Sequence, residues 1–185
     1  MKKDINFLNN YFEELQKIIN PDEKINKKII LLKKYCLEIK KNNKKIFIFG
    51  NGGSSSIASH FTTDMIVNNN IKVFNFSDAN LLTCFANDYG YENWVKEALN
   101  SYADKNDLVI CISSSGTSKN IINAALKAKK MECRVVTFSG FGKNNPLNKI
   151  GKINFWIDSS NYNIVEMTHH IWMLSAVDKI ANSKF

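Results

Sequence analysis

The sequence is poor in the residues that mark several common classes of protein. Its 185 residues include two prolines, three histidines and a single arginine, although the formal net charge is +8. Proteins that read nucleic-acid bases rely on arginine forks, and no zinc-finger, helix-turn-helix or RNP signature accompanies the lysines. We therefore expect no nucleic-acid partner, and we interpret the excess charge as a lysine-rich surface that attracts anionic substrates.

The four cysteines occur without a C-x-x-C pair, and long apolar runs are missing. Cys36, Cys84, Cys111 and Cys133 are widely spaced, so we expect buried free thiols and a reducing compartment. The residues after Met1 lack the apolar segment of a signal peptide, and no run reaches the length of about 18 apolar residues that a membrane span needs. The sequence thus predicts a cytoplasmic protein without a membrane partner.

The composition is that of a globular protein, and helical and strand patterns alternate along the chain. Hydrophobic residues make up 44% and charged residues 23% of the sequence, which excludes disordered and collagen-like classes. Apolar periodicity predicts helices over residues 5–19, 22–41, 55–67, 80–86, 91–102, 120–130 and 164–181, and strands over 45–49, 72–76, 108–112, 134–139 and 153–157. This alternation is typical of a three-layer α/β fold with a five-stranded parallel sheet. We expect one domain over 1–185, with an N-terminal helical hairpin in 1–44 and the α/β core in 45–185.

The first predicted strand ends in the run Gly50-Asn51-Gly52-Gly53-Ser54-Ser55-Ser56, which we call the glycine turn. Glycines let the backbone approach a ligand closely, and the helix that follows offers unpaired N–H groups and the positive end of its dipole. The run lacks the third glycine of G-x-G-x-x-G and the Gly-Lys-Ser/Thr of a nucleotide P-loop. It therefore predicts a site for a sugar phosphate rather than a nucleotide.

A second buried strand pattern ends in Ser113-Ser114-Ser115-Gly116-Thr117-Ser118, which we call the serine turn. Turns that follow parallel strands meet at the carboxyl edge of the sheet, where ligands bind. Either turn alone is also consistent with an ordinary loop that ends in a serine helix cap. The presence of both in one chain favours a common phosphosugar site.

Two of the predicted helices carry titratable side chains. His60 and Asp64 are four residues apart and share a helix face. They can act as metal ligands, acid or base, or they can be a core histidine and a surface carboxylate. In the last helix, Glu166 is three residues from His169 and four from His170, spacings that let a carboxylate meet an imidazole.

Two further groups of residues have both a functional and a structural interpretation. Asn87-Asp88-Tyr89-Gly90 is predicted as a turn outside any helix, which either binds sugar hydroxyls or is a plain turn with an Asx cap. A stripe of aromatic and aliphatic residues is better interpreted as core or interface than as a cofactor site. That stripe consists of Phe155, Trp156, Ile171, Trp172 and Leu174.

Together these motifs resemble the sugar isomerase (SIS) domain family, and most closely its phosphoheptose isomerases. The resemblance rests on the helical hairpin, the two turns, His60-Phe61 with Asp64, Asn87-Asp88-Tyr89-Gly90 and Ile164-Val165-Glu166. It implies a homotetramer with active sites at subunit junctions. The implied reaction converts a ketose phosphate, sedoheptulose 7-phosphate, to an aldose phosphate through an enediol, for surface polysaccharide synthesis.

The resemblance also assigns roles to residues. It implies that Asp64, which is one methylene shorter than the family's glutamate, is the catalytic base; we expect His169 to be the second catalytic residue. Phosphate is implied to bind Ser54, Ser113, Ser115 and Ser118, and the sugar to contact Asn51, Asn87 and Asp88. Gly52, Gly53 and Ser114 of the same turns are further candidates for substrate contact.

The chain departs from the family in its last helix. Val165 replaces a glutamine and Met173 replaces a histidine, and these two belong with His60 and the acid to the zinc set of metal-binding members. The isomerisation itself requires no cofactor. Zinc binding is an open alternative, in which His60 and Asp64 are the ligands that this chain retains. Because His169 shares a helical stripe with the two replaced positions, we expect it to supply the imidazole one turn earlier; a one-turn slip of the alignment is the alternative.

Three functions are consistent with these residues. An active phosphosugar isomerase is favoured, because the phosphate-binding turns are intact. The first alternative is a non-catalytic sugar-phosphate-binding or scaffold protein, like the DnaA-associating relatives that share the fold. The second is another SIS chemistry, such as lyase or etherase action on an amino sugar phosphate.

Overall fold

The computed structural model describes residues 1–181, and the seven α-helices and five strands within them alternate as the sequence predicts. The elements are α1 (Lys2–Ile19), α2 (Glu23–Lys41), β1 (Ile46–Phe49), α3 (Gly53–Val67), β2 (Val73–Phe74), α4 (Ala79–Tyr89), α5 (Trp94–Tyr102), β3 (Leu108–Ser113), α6 (Lys119–Lys130), β4 (Arg134–Ser139), β5 (Ile153–Trp156) and α7 (Tyr162–Ile180). A short 3₁₀ helix, Leu147–Lys149, lies in the loop before β5 and was not predicted.

The five strands form one parallel sheet in the order β2-β1-β3-β4-β5. The chain passes from β1 outward to β2 and from β3 outward to β4, in opposite directions, so the winding of the sheet reverses between β1 and β3. Ligands bind at the carboxyl ends of strands next to such a switch point. The glycine turn follows β1 and the serine turn follows β3, and both turns therefore border this crevice.

Alternation of side chains along the strands produces two apolar cores, one on each face of the sheet. Ile48, Ile110 and Phe138 lie in the core shared with α2, α3 and α7. Phe49 and Cys111 lie in the opposite core, which α5 and α6 complete. The three-layer α/β architecture predicted from the sequence is confirmed.

The two N-terminal helices both pack against α7. The indole N–H of Trp172 donates to the carbonyl of Ile19 at 2.9 Å and fixes the end of α1. The outer side of α1 is apolar, since Phe7 is 67% and Phe12 60% exposed. Within residues 1–181, no helix has the length and apolar character needed to cross a membrane.

The prediction of a turn at residues 87–90 is wrong, because residues 87–89 form the last turn of α4. The Asp78 carboxylate accepts the backbone N–H groups of Asn80 and Leu81 and starts this helix early. The helix then continues to Gly90, where a φ of 81° ends it. The next helix correspondingly begins at Trp94 rather than at Tyr91.

The prediction for the cysteines holds for three of the four. Cys36, Cys111 and Cys133 are free and buried, and burial raises the pKa of their thiols to about 12, 12 and 11. Cys84 is free but exposed, since it lies on α4, a helix with no buried residue. In the aromatic stripe, Phe155 and Trp172 are core residues, whereas Ile171 is 47% exposed.

Candidate active site

The glycine turn connects β1 to α3, and its backbone atoms are so close together that a side chain at Gly50 does not fit. A Cβ atom at Gly50 would lie 2.6 Å from backbone atoms of Ser54, so a larger residue would force the turn apart. Gly52, the N-cap of α3, has a φ of 53°, a left-handed conformation that favours glycine. The predicted tight turn is present, and it presents the positive amino end of α3 to the crevice.

The serine turn gathers hydroxyl groups at the amino end of α6. Ser113 Oγ donates to Ser118 Oγ at 3.0 Å, and the hydroxyls of Ser115 and Thr117 lie 2.9 Å apart. Gly116 between them has a φ of 69°. The hydroxyls are paired with one another and can turn toward an anion without leaving a buried polar group unsatisfied.

Hydrogen bonds between amide side chains join the two turns. Asn51 Nδ2 donates to Asn120 Oδ1 at 3.0 Å, and Asn120 Nδ2 donates to Asn51 Oδ1 at 2.8 Å. Tyr91 Oη also donates to Asn51 Oδ1, at 3.1 Å. Asn120 and Tyr91 were not predicted for the site, since a polar residue in a first helical turn or a loop carries no distinctive signal.

Glu166 from α7 lies between the turns. Its Oε1 atom accepts long hydrogen bonds from Ser54 Oγ at 3.5 Å and from Ser114 Oγ at 3.4 Å. A Cβ atom at Gly53 would overlap the same carboxylate. The sequence spacing suggested that Glu166 meets His169 or His170; the structure instead shows it beside the amino end of α3.

His60, Asp64 and His170 form a connected group. His60 Nε2 lies 3.3 Å from Asp64 Oδ2, and His60 Nδ1 lies 2.8 Å from His170 Nε2. Burial lowers the pKa of His170, the neighbouring His60 lowers it further, and Asp64 opposes both effects. The pairing of His60 with Asp64 follows from their spacing, whereas the contact with His170 depends on how α7 packs against α3.

His169 lies in the core. Its side chain is fully buried, its Nε2 atom lies 3.2 Å from the Ser139 carbonyl oxygen, and its ring contacts Phe138 edge to face. Burial lowers the pKa of His169 to about 4, and the hydrogen bond to Ser139 opposes this only in part, so the ring is neutral at pH 7. Within residues 1–181, no hydrogen bond, ion pair or ring contact joins His169 to His60 or Asp64.

Asn87 and Asp88 lie apart from this network, on the exposed last turn of α4. Asn87 Nδ2 donates to Asp88 Oδ1 at 3.0 Å. In the part of the chain that the structure describes, neither side chain hydrogen-bonds to the glycine or the serine turn. Hydrogen bonds thus join residues of the two turns, and within the described residues none joins Asn87 or Asp88 to them.

The described residues do not fit a zinc centre. Zinc sites have at least three protein ligands, and residues 1–181 contain no group of three His, Cys, Asp or Glu side chains placed to hold a metal. Val165 and Met173 are fully buried and apolar. The imidazoles of His60 and His170 hydrogen-bond to each other instead.

Comparison with known proteins places the chain among sugar isomerase domains. The sequence profile of the SIS domain matches residues 10–140. Over 125 residues the chain is 38% identical to a phosphoheptose isomerase from Helicobacter pylori, an alignment that covers 63% of this chain and 65% of that protein, just under two thirds of its length. A phosphoheptose isomerase from Aliarcobacter butzleri is 31% identical over 142 residues, which cover 74% of this chain and 75% of that protein.

A solved structure shows the same fold. A phosphoheptose isomerase from Francisella tularensis superimposes with a TM-score of 0.84, covering 97% of this chain and 98% of that one at 24% sequence identity. The sequence profile and the Aliarcobacter butzleri relative each show kinship, and the structural likeness agrees with both. The chain therefore belongs to the SIS domain family.

Proposed function

We propose that this protein is a phosphosugar isomerase that converts sedoheptulose 7-phosphate to an aldose heptose 7-phosphate, for surface polysaccharide synthesis. The observation that carries this proposal is the meeting of the glycine turn and the serine turn at the switch point of the sheet. The family relatives named phosphoheptose isomerase supply the substrate class.

Phosphate binding is assigned to the hydroxyls and helix ends of the two turns. Hydroxyl and backbone N–H donors form charge-assisted hydrogen bonds to phosphate oxygens, and the dipoles of α3 and α6 favour the negative charge. The proposed phosphate contacts are Ser54, Ser113, Ser115 and Ser118, with Gly52, Gly53 and Ser114 alongside. Asn51 lies where the turns meet and is suited to a sugar hydroxyl; Asn87 and Asp88, on the exposed end of α4, complete the proposed sugar contacts.

The reaction moves hydrogen between neighbouring carbons. In the proposed mechanism the Asp64 carboxylate removes a proton from C1 of the ketose, the electron pair forms the C1–C2 double bond, and the C2 carbonyl oxygen takes up a proton to give an enediol. The abstracted proton is then returned to C2, and the C1 hydroxyl loses its proton, which balances the proton taken up by the C2 oxygen and gives the aldose. Oriented acid and base groups contribute typically 10²–10⁴-fold to such a step.

We assign the imidazole of this mechanism to His60, with His170 behind it, rather than to His169. His60 contacts Asp64 directly and is hydrogen-bonded to His170, so a proton can pass along the three side chains. His169 is fully buried against Ser139 and Phe138. Its expected catalytic role is therefore replaced in this proposal by a packing role.

Incubation of the purified protein with sedoheptulose 7-phosphate, followed by NMR, tests the function. We expect an aldose heptose phosphate of unchanged mass to accumulate. Binding without turnover would contradict the proposal and favour the sugar-phosphate-binding alternative. Cleavage of N-acetylmuramic acid 6-phosphate would favour a lyase or etherase instead.

We also propose that the protein is a cytoplasmic homotetramer whose subunits are single domains over residues 1–185. The apolar outer side of α1 supports self-association, because exposed apolar patches mark interaction surfaces. The free cysteines fit a reducing compartment.

We expect Phe12→Glu to lower the molecular mass in solution, measured by light scattering, because it places a charge in the apolar face of α1. Asn10→Glu adds a charge to the same helix outside the apolar stripe and is the matched control. Equal masses for the two variants would show that the outer side of α1 is not a subunit interface.

A further inference from the structure

The loop after β4 is fastened to the serine turn at two points. The backbone N–H of Gly140 donates to the Ser114 carbonyl at 2.8 Å, and that of Leu147 donates to the Gly116 carbonyl at 3.2 Å. These two bonds span the middle of the serine turn. The loop over residues 140–148 therefore packs directly beneath the serine turn and is hydrogen-bonded to it.

Asn145 organises this loop from inside. It is 7% exposed, and its Nδ2 atom lies 2.9 Å from the Gly142 carbonyl oxygen, 3.1 Å from that of Gly140 and 3.2 Å from Ser139 Oγ. Its Oδ1 atom accepts the backbone N–H of Asn148 at 2.9 Å. One amide side chain thus satisfies groups at both ends of the loop.

The same side chain packs directly against the serine turn. A Cβ atom at Gly116 would overlap the amide of Asn145, so the turn approaches as closely as a glycine allows. Gly116 also holds a φ of 69°, and its N–H closes the turn on the Ser113 carbonyl at 2.9 Å. The hydroxyl-bearing turn therefore packs against a residue more than two dozen positions further along the chain.

We infer that Asn145 is a positioning residue for the phosphosugar site: it touches no substrate, and it holds the serine turn in the conformation that binds phosphate. The inference rests on the proposed function for its ligand, and on the contacts with Gly116 for its mechanism. This role differs from a general contribution to stability, because loss of the Asn145 side chain should change the serine turn and the affinity for phosphosugar first. Removal of the side chain should therefore make the serine turn more mobile while the rest of the protein stays folded.

The test combines ligand affinity with amide hydrogen exchange. We expect Asn145→Ala to weaken binding of sedoheptulose 7-phosphate roughly fivefold to tenfold by calorimetry, the loss typical of one hydrogen-bonding side chain, and to speed exchange at the Gly116 amide in the free protein. Asn148→Ala alters the same loop on a side chain that bonds only to Lys143 within the described residues, and is the control. Unchanged affinity and exchange in Asn145→Ala would overturn the inference.

A double-mutant cycle isolates the contact. Gly116→Ala should weaken binding as well, and the double variant should lose less than the product of the two single effects, because both changes disturb one contact. Fully multiplicative losses would refute coupling. If Asn145→Ala does not fold, Asn145→Asp keeps the side-chain volume and Oδ1 but removes the donor, and it should show the same weaker binding and faster exchange; wild-type values for both would overturn the inference.

Failure of the proposed function gives a separate result. If the wild-type protein binds no phosphosugar, the isomerase proposal fails, and the exchange rate at Gly116 alone decides the role of Asn145. Faster exchange in the variant then supports positioning of the turn, and an unchanged rate refutes it.

Discussion

We expect Asp64→Asn to lower kcat for sedoheptulose 7-phosphate by roughly 10²–10⁴-fold, the contribution of a general base. The amide keeps the shape of the carboxylate but cannot accept the proton from C1. Because Asp64 is partly exposed on α3 and its contact is with His60, the fold should be unaffected. Initial rates by coupled assay or NMR, with binding measured separately, separate lost chemistry from lost affinity.

Histidine variants complete this experiment. We expect His60→Ala to lose activity with the fold intact, whereas His169→Ala should lose stability, because it empties a fully buried position. Should His169→Ala be folded and inactive while His60→Ala is active, the imidazole assignment is reversed. Full activity in Asp64→Asn would exclude Asp64 as the base and direct attention to Glu166.

Gly50→Ala should destabilise the protein by about 1–3 kcal/mol, the usual cost of forcing extra volume into a packed site. The new Cβ would meet the backbone of Ser54, which has no flexible end that can move aside. Opening the turn also displaces the amino end of α3, so phosphosugar binding should be lost with it. Urea denaturation and calorimetry measure the two effects.

Gly142→Ala is the matched control for this change. No atom of the described residues lies within 4 Å of a Cβ atom at Gly142, and its φ lies outside the left-handed region. The same methyl group should therefore change the free energy of unfolding little. An equal decrease in the free energy of unfolding of the two variants would show that the close approach of Gly50 to Ser54 does not contribute to stability.

The sequence predicted the sheet, most of the helices and both turns because these depend on local signals. Alternating apolar strands and amphipathic helices are periodic, and the glycines and serines mark the turns directly. The end of α4 was missed for an equally local reason: residues 87–90 have the composition of a turn, but the helix that Asp78 caps continues through them and ends at Gly90.

The side chains that assemble the site were harder to predict because their neighbours are distant in the chain. His60 contacts His170, and Glu166 reaches Ser54, only after α7 has packed across α3. The predicted preference for His169 over His170 relied on one helical stripe. Which face of α7 is turned toward the core is set by tertiary packing, and the spacing alone does not determine it.

The place of Glu166 has a consequence for how strongly a substrate is held. A carboxylate already lies at the amino end of α3, where the helix dipole favours negative charge. In the proposed function a phosphosugar that binds there meets this carboxylate, so part of the favourable interaction with the helix dipole is already made before the phosphate arrives. The phosphate then gains less from the dipole of α3 than it would at a helix end without a neighbouring carboxylate, and the two turns must supply the rest of its binding free energy.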